Sequence, residues 1–482
     1  MAEMLRTEVL VIGGGAAGVR AAIAVAAAGV PVMCLSKGPI ARTGITPVAG
    51  EGMQAAVAPE DSPAYHREDT LKAGRGLACP GLVEALAHDA VPRLQELLTF
   101  GTRFKTRSDG SLVQSPRPGQ RYPRNLFILG GGWGLMASLF RKGASFPHLE
   151  FREDVQVLRL VTTGSRVAGA VVLDVRRGGV YAVEAKAVIL ASGGYEELWP
   201  VTDCPPECTG EVMLMAARLG AELIDLEMVL HYPTVVVFPP AARGWMLQYE
   251  YIINPDVLGG RLLNIYGEEF VHGFPARDEL ITAINREVQA GRGSPCRGVY
   301  VDLTATRFGR EELTRRLEEW LDQFKNLLQV GVDLREGRVE VAPAAHYCLG
   351  GLGIDEHGRT GVPGLWAAGE VTGNLHGANR LSGNALTETQ VFGYRAAQAA
   401  VDWVRGQGWP GGAWEENVSQ ELQAIARWTG DGDGLRPIQV KRRLQEIIGS
   451  WVALDRSERS LAQAREAMDA LWPELSRLRV RR

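Results

Sequence analysis

The chain has 482 residues, 46% of them hydrophobic and 22% charged, and carries a net charge of −4. That length calls for two or three domains rather than one core, and so small a net charge gives no reason to expect a nucleic-acid partner. No uninterrupted apolar run reaches the roughly 18 residues of a membrane span, and the chain enters a strand too early to leave room for a signal peptide.

Residues 9–12 read as a short buried strand, followed by Gly13-Gly14-Gly15-Ala16-Ala17-Gly18 and a small-residue helix to about residue 28. The glycines at 13, 15 and 18 fit G-x-G-x-x-G between a strand and a helix, the setting a dinucleotide needs. Gly13 permits the tight turn, Gly15 lets the backbone approach a pyrophosphate, and Gly18 lets helix and strand pack closely. The helix N-terminus then offers unpaired N–H groups to phosphate. The second strand, residues 30–35, ends in Ser36-Lys37 rather than in the acid that usually binds the adenosine ribose, and a hydroxyl can still make that bond.

Strand patterns return at 155–160 and 167–175, and a hydrophobic run at 187–190 ends in Ala191-Ser192-Gly193-Gly194. From about 223 to 341 aromatic and Pro-containing loops dominate, with one helical stretch at 310–328. Residues 364–370 revert to strand and glycine, so the first domain is read as discontinuous. After Gly412 the chain is helical, with Leu461, Ala464, Met468, Leu471, Leu475 and Leu478 at helix spacing as a packing stripe. The expected fold is therefore α/β: a Rossmann-like domain (1–222 and 342–400), an inserted α+β capping domain (223–341) and a C-terminal helical domain (401–482).

Six scattered cysteines form no disulfide framework and no CxxC pair. Reduced thiols in a cytoplasmic protein, in solution or at the periphery of a membrane complex, are the expectation. Cys204 and Cys208 are read as loop thiols, with a redox pair or docking loop as the alternative.

Longer motifs carry a resemblance: Thr209-Gly210-Glu211, Leu230-His231-Tyr232-Pro233-Thr234, Ala276-Arg277-Asp278, Ala344-Ala345-His346-Tyr347, Ala368-Gly369-Glu370 and His376-Gly377-Ala378-Asn379-Arg380. In this order the chain resembles the flavoprotein subunits of succinate dehydrogenase and fumarate reductase, and L-aspartate oxidase. The resemblance implies FAD and hydride transfer between flavin N5 and a small carboxylate or related anionic substrate. It places His231, His346 and Arg380 on the substrate carboxylates, where Arg380 offers a bidentate fork and the histidines donate hydrogen bonds. Arg277 takes a charge-stabilising role with proton transfer. On the cofactor side it implies Gly13, Gly15, Ala17, Gly18, Ser36, Lys37, Thr43, Val155, Ala191, Ser192, Gly193, Glu211, Glu370, Arg380, Asn384, Ala385 and Leu386. No metal is implied. His66, His88, His148, His272 and His357 are read as surface or packing residues.

Three departures bear on function. Family members with covalent FAD attach it through a histidine in the loop after the second strand. Residues 38–47 contain none, so FAD is expected to be noncovalent. The Arg and Glu positions of the family's proton relay are replaced in 251–260, leaving Asp256 or Glu250 as substitutes. Residues 112–129 hold Arg117, Arg121 and Arg124 and no acid, so they either line a site for extra negative charge or face water. Electrons are expected to pass through a partner, an iron–sulfur protein or similar, or through oxygen. L-aspartate oxidase activity and an electron-transfer role within an iron–sulfur complex stand as alternatives.

Overall fold

The computed structural model describes residues 4–50, 52–321, 323–411, 413–427, 434–452 and 454–480. Strand β1 (Met4–Ile12) runs into the glycine turn that starts helix α1 (Ala16–Ala27). Residues 16–26 of α1 are all buried, the pattern of a helix covered all round rather than of a surface helix. β2 (Val32–Leu35) pairs in parallel with β1, Val9 opposite Val32 and Ile12 opposite Leu35. Helices α2 (Pro63–Ala73), α3 (Pro80–Thr99) and α4 (Gly131–Ala144) follow. α2 begins at Ser62, whose hydroxyl accepts the Tyr65 N–H, with proline in the first turn.

β3 (Leu149–Arg152), β4 (Val155–Thr163), β5 (Arg166–Asp174) and β6 (Val180–Leu190) extend the first sheet in the order β3-β2-β1-β6-β5-β4. The β3-β2-β1-β6 part is parallel, and β5 and β4 continue it as an antiparallel meander. Parallel strands buried on both faces read as unbroken apolar runs, and residues 187–190 are fully buried.

The second sheet is antiparallel. After α5 (Glu211–Arg218) come β7 (Val229–Phe238), β8 (Arg261–Leu263), α6 (Arg277–Gln289), β9 (Val299–Asp302), α7 (Arg310–Trp320), α8 (Phe324–Gln329) and β10 (Val339–Cys348), with strand order β7-β10-β9-β8. Tyr232, Val236, Leu280, Ile284, Leu313, Phe324 and Val341 share its core. The boundary expected at 341/342 falls inside β10. The helix expected over 310–328 is broken, because Leu321 leaves helical geometry (φ −118°, ψ 93°) and both Leu321 and Phe324 are buried.

β11 (Leu365–Ala367) returns to the first sheet beside β6, so that sheet is built from two separated stretches of chain. α9 (Asn384–Gly406) lies on α1, and the approach is close: a Cβ on Gly393 would sit 2.7 Å from the Ala17 carbonyl oxygen. α10 (Trp414–Ala426) packs Trp414 and Val418 against Val161 and Val171 of the first sheet. α11 (Pro437–Trp451) and α12 (Glu458–Leu471) share Ile447, Ala464 and Leu471. The expected stripe is only partly realised. Leu461 is exposed, and after Leu471 the chain tightens to a 3-10 turn (Trp472–Arg477), which ends the 3.6-residue period before Leu475 and Leu478.

Two polar clusters are sealed inside the first unit. Arg124 is wholly buried, with Nε and Nη2 donating to Asp61 at 2.9 Å each and Nη1 to Asp69 at 2.7 Å. The expectation that Arg124 faces water or lines a site is therefore corrected, and Arg121 pairs with Glu68 at the surface. Beside them His66, also wholly buried, donates from Nε2 to Asn384 Oδ1 at 2.8 Å, and Asn384 donates to Thr70. Burial pushes the His66 imidazole down to about 4.

An unfolded histidine takes its proton near pH 6.5, so this native state is stabilised above that pH and loses the contribution as pH falls toward 4. We expect wild type to lose about 2 kcal/mol more unfolding free energy between pH 7 and pH 5 than His66→Gln, which keeps an N–H for Asn384. Urea unfolding of both proteins at the two pH values measures this, and parallel losses would disprove it.

Candidate active site

A cavity of about 2150 Å³ opens where the C-terminal ends of β1, β6 and β11 meet the second sheet, the usual ligand crevice of an open α/β sheet. One wall is backbone. Gly13, Gly15, Ala17, Ser36, Lys37, Thr43, Val155, Ala191, Ser192, Gly193, Glu370, Arg380, Ala385 and Leu386 all border it. Gly13 has φ +128°, and a Cβ there would lie 2.0 Å from the Ala191 carbonyl oxygen. A Cβ on Gly18 would lie 1.8 Å from the Gly13 carbonyl oxygen, so Gly18 is a packing position off the cavity. At Gly15 a Cβ would meet only Thr46 Oγ1, at 3.5 Å. Thr46 accepts the Ala16 N–H at 3.2 Å and was not anticipated from the sequence.

Two other expected cofactor residues also lie off the cavity. Glu211 is ion-paired to Lys37 (2.5 Å), and Asn384 is committed to His66 and Thr70. Lys37 further donates to the Glu207 carbonyl at 2.9 Å and to Thr209 at 2.8 Å, so its ammonium ties β2 to the start of α5. Ser192 Oγ is buried with no hydrogen-bond partner among the described residues. A glycine cradle at a helix N-terminus with an orphaned hydroxyl beside it fits a pyrophosphate-linked dinucleotide.

The carboxylate of Glu370 accepts the Cys348 N–H at 2.9 Å, and buried Glu196 accepts the same N–H at 2.9 Å. Burial and then the Glu196 charge hold Glu370 well above the usual carboxylate range. Cys204 and Cys208 border the cavity as free thiols. Burial pushes both up, which keeps them in the unreactive protonated form.

The opposite wall is made of side chains. The β7–β10 ladder pairs Leu230 with Tyr347 and His231 with Ala345, so one step along β7 spans two along β10. His346 is the extra residue of that bulge, a device that re-aims side chains next to sites. His231, His346, Arg277 and Arg380 all border the one cavity. Tyr232 sits among them, its ring 5.5 Å from that of His346 and 5.7 Å from the Arg277 guanidinium. Arg380 stacks 4.2 Å over Tyr347, whose hydroxyl donates to Glu388 at 2.7 Å. The Nε atoms of Arg277 and Arg380 are buried without hydrogen-bond partners among the described residues.

The two histidines differ. His231 Nδ1 lies 3.2 Å from the Val229 carbonyl, which can only accept, so Nδ1 carries the proton and Nε2 of the neutral ring is an acceptor. Burial pushes His231 down to about 4. The expected role of hydrogen-bond donor is therefore corrected for the neutral ring. His346 Nδ1 instead faces Asp203 Oδ2 at 2.8 Å.

Arg277 is the first residue of α6, and its Nη2 lies 3.9 Å from Glu250 Oε1. Burial opposes its charge, but Tyr249, Glu250 and Tyr232 outweigh that and hold the guanidinium above its ordinary value. Of the two acids named for the missing relay, Glu250 is in place, accepting the Tyr232 hydroxyl. Asp256 is exposed and pairs with Arg307. Arg117 borders the cavity, separating it from Arg121 and Arg124. Asp203, Tyr232 and Tyr249 were not named as site residues from the sequence; Tyr232 sits in the motif at 230–234, whereas no local spacing marks Asp203 or Tyr249.

The matching family model is the FAD binding domain, over residues 8–386, and the chain belongs to that family. It is an FAD-dependent oxidoreductase of the kind that includes succinate dehydrogenase and fumarate reductase flavoproteins. It is 37% identical to one of the subunits of the fumarate reductase (CoM/CoB) of Methanothermobacter marburgensis, covering 99% of this chain and 87% of that one. It is 33% identical to the L-aspartate oxidase of Caulobacter vibrioides, over 81% and 76%. The fold superposes on Mycobacterium smegmatis Sdh1 in complex with UQ1 with a TM-score of 0.91 at 31% identity, covering 99% and 82%. No described helix is long and apolar enough to cross a membrane.

With no histidine at 38–47, acid precipitation is expected to release all the yellow flavin into the supernatant. Colour held in the pellet would show a covalent link.

Proposed function

We propose that the protein interconverts a small dicarboxylate and its unsaturated counterpart, of the succinate and fumarate type, by transfer of a hydride and a proton. The observation that carries this reading is the convergence of Arg277, Arg380, His231 and His346 on one cavity continuous with the glycine cradle. Two ends of a dianion need cationic or donor partners, because a carboxylate stripped of water without one is costly.

FAD, when bound against the cradle residues, supplies or accepts the hydride. Arg380 grips a carboxylate through its free Nε and its fork, with the Tyr347 ring fixing the plane of the guanidinium. Arg277 stabilises negative charge developing at the neighbouring carbon. Arginine does not yield a proton to ordinary bases, and its neighbours hold this one more firmly still. A proton leaves an Arg277 nitrogen only toward a very basic carbon, with Glu250, 3.9 Å away, returning it. Tyr232 and Tyr249 pack beside this pair, their rings 5.8 Å apart and the Tyr232 ring 5.7 Å from the Arg277 guanidinium.

The near full-length similarity to a fumarate reductase protein supports this reading over oxidation of aspartate. Of the cavity's acids, Glu250 and Asp203 face Arg277 and His346. Electrons reach or leave the flavin through a separate protein of the iron–sulfur type. Support for this comes from the relative's place as one component of a larger reductase, and from the likeness to Sdh1.

A dye-linked assay with fumarate and succinate, run in both directions, tests the substrate class. Hydrogen peroxide release with aspartate and silence toward both dicarboxylates would overturn it. Arg277→Ala is expected to abolish turnover while flavin content stays at the wild-type level, and flavin loss in that variant would make the position structural. Glu250→Gln keeps the shape but not the proton, and should lower kcat by about 10²-fold or more with KM little changed. An unaltered kcat would remove Glu250 from the proton path.

A further inference from the structure

One of the two cavity histidines is backed by a carboxylate and the other by a carbonyl. The carboxylate, Asp203, is nearly buried, its side chain 7% exposed, and it lies far from His346 in sequence. Backbone pairing brings it there. The Ala345 N–H donates to the Val201 carbonyl at 3.0 Å, and the Thr202 hydroxyl donates to the Ala345 carbonyl at 2.8 Å, so residues 201–203 run beside β10 as a short parallel bridge. The Cys204 thiol donates to the His346 carbonyl at 3.3 Å. Main chain on both sides of His346 is therefore fixed to the segment that carries Asp203.

We propose that Asp203 is a positioning residue of the active site: it accepts the Nδ1 proton of His346 and thereby leaves Nε2 of the bulged histidine as the nitrogen that, once protonated, donates to the substrate carboxylate. A carboxylate acceptor fixes the tautomer and the ring plane, and stabilises the imidazolium when a proton reaches Nε2. His231 has no such support, since a backbone carbonyl orients its ring without supplying charge. Of the two histidines, only His346 has a carboxylate behind it when Nε2 is protonated and donates to an anion. The assignment rests on the dicarboxylate reading for its consequence but not for its geometry.

The test uses FAD-loaded full-length protein and the variants Asp203→Asn and Asp203→Ala. Asp203→Asn retains an acceptor oxygen and removes only charge, whereas Asp203→Ala removes the acceptor. KM for fumarate or succinate is expected to rise about tenfold in Asp203→Asn and further in Asp203→Ala, the scale of losing a partner behind a ligating histidine. Flavin content and melting temperature should stay near wild type in Asp203→Asn.

Nitrogen-15 spectra of histidine-labelled enzyme, with His346 assigned by its own substitution, read the tautomer directly. A protonated Nδ1 in wild type, lost or mixed with the other tautomer in Asp203→Ala, supports the proposal even if no dicarboxylate is turned over. Failure of turnover alone counts against the substrate reading, not against this pairing. An unchanged KM in Asp203→Asn and Asp203→Ala, or an Nδ1 left unprotonated in wild type, overturns the proposal. So does a fall in flavin content and melting temperature that tracks the loss of activity while KM holds.

Discussion

The extra residue in the β7–β10 ladder is the constraint on which the site depends. In a regular antiparallel pair, neighbouring residues on one strand point to opposite faces. An unbroken register would send His346 and Tyr347 to opposite sides of the sheet and pair His231 with a different partner. The mismatch between Leu230–Tyr347 and His231–Ala345 breaks that alternation where the strands pass the cavity. His231, Tyr232, His346 and Tyr347 then all border one space. Tyr347 carries Arg380 on its ring, and Tyr232 carries Arg277, so the two guanidinium groups take their places from the same pair of strands. Glu250 and Asp203 reach the cluster from outside the ladder, one by the Tyr232 hydroxyl and the other through the bridge at Ala345.

The two walls of the cavity obey different physics. The cradle wall works by absence of side chains: Gly13 and Gly18 are held against carbonyl oxygens at distances no Cβ could share. Its chemistry is that of N–H groups at the start of α1, and it would serve many nucleotides equally. The opposing wall works by charge placed on partly buried side chains, where each cation needs either a partner or a ligand. Arg277 has Glu250, whereas the Nε of Arg380 and of Arg277 remain open. A wall that withholds full pairing from its guanidinium groups is built for an anion from outside.

How far the sequence reveals this depends on the range of the interactions. The cradle is local: strand, three glycines and helix lie within about 20 residues and were legible in the chain, as were the separated return of β11 and the helical C-terminal region. The two arginines and two histidines of the cavity could be named because they sit in long motifs. Their supports could not. Asp203 and His346, like Arg124 and Asp61, are partners across long stretches of chain, and nothing in local spacing foretells which acid meets which base. Arg124 looked like a loop arginine because its loop folds inward over α2. The break at Leu321 escaped notice because burial of Leu321 and Phe324 overrides a helical pattern that is otherwise continuous.

The histidine pair shows how one residue type acquires two chemistries from its second nitrogen. Both rings turn Nδ1 toward an acceptor. For His231 that acceptor is a neutral carbonyl, and burial then favours the uncharged ring, so its Nε2 meets an incoming carboxylate with a lone pair. Binding a dianion there requires a proton to arrive with it. For His346 the acceptor is the nearly buried carboxylate of Asp203. Either Nε2 must carry a proton before it can donate to an anion, and only at His346 is there a carboxylate on the far side of the ring. A symmetric dicarboxylate entering this site meets two unlike histidines, one backed by charge and the other by a neutral carbonyl.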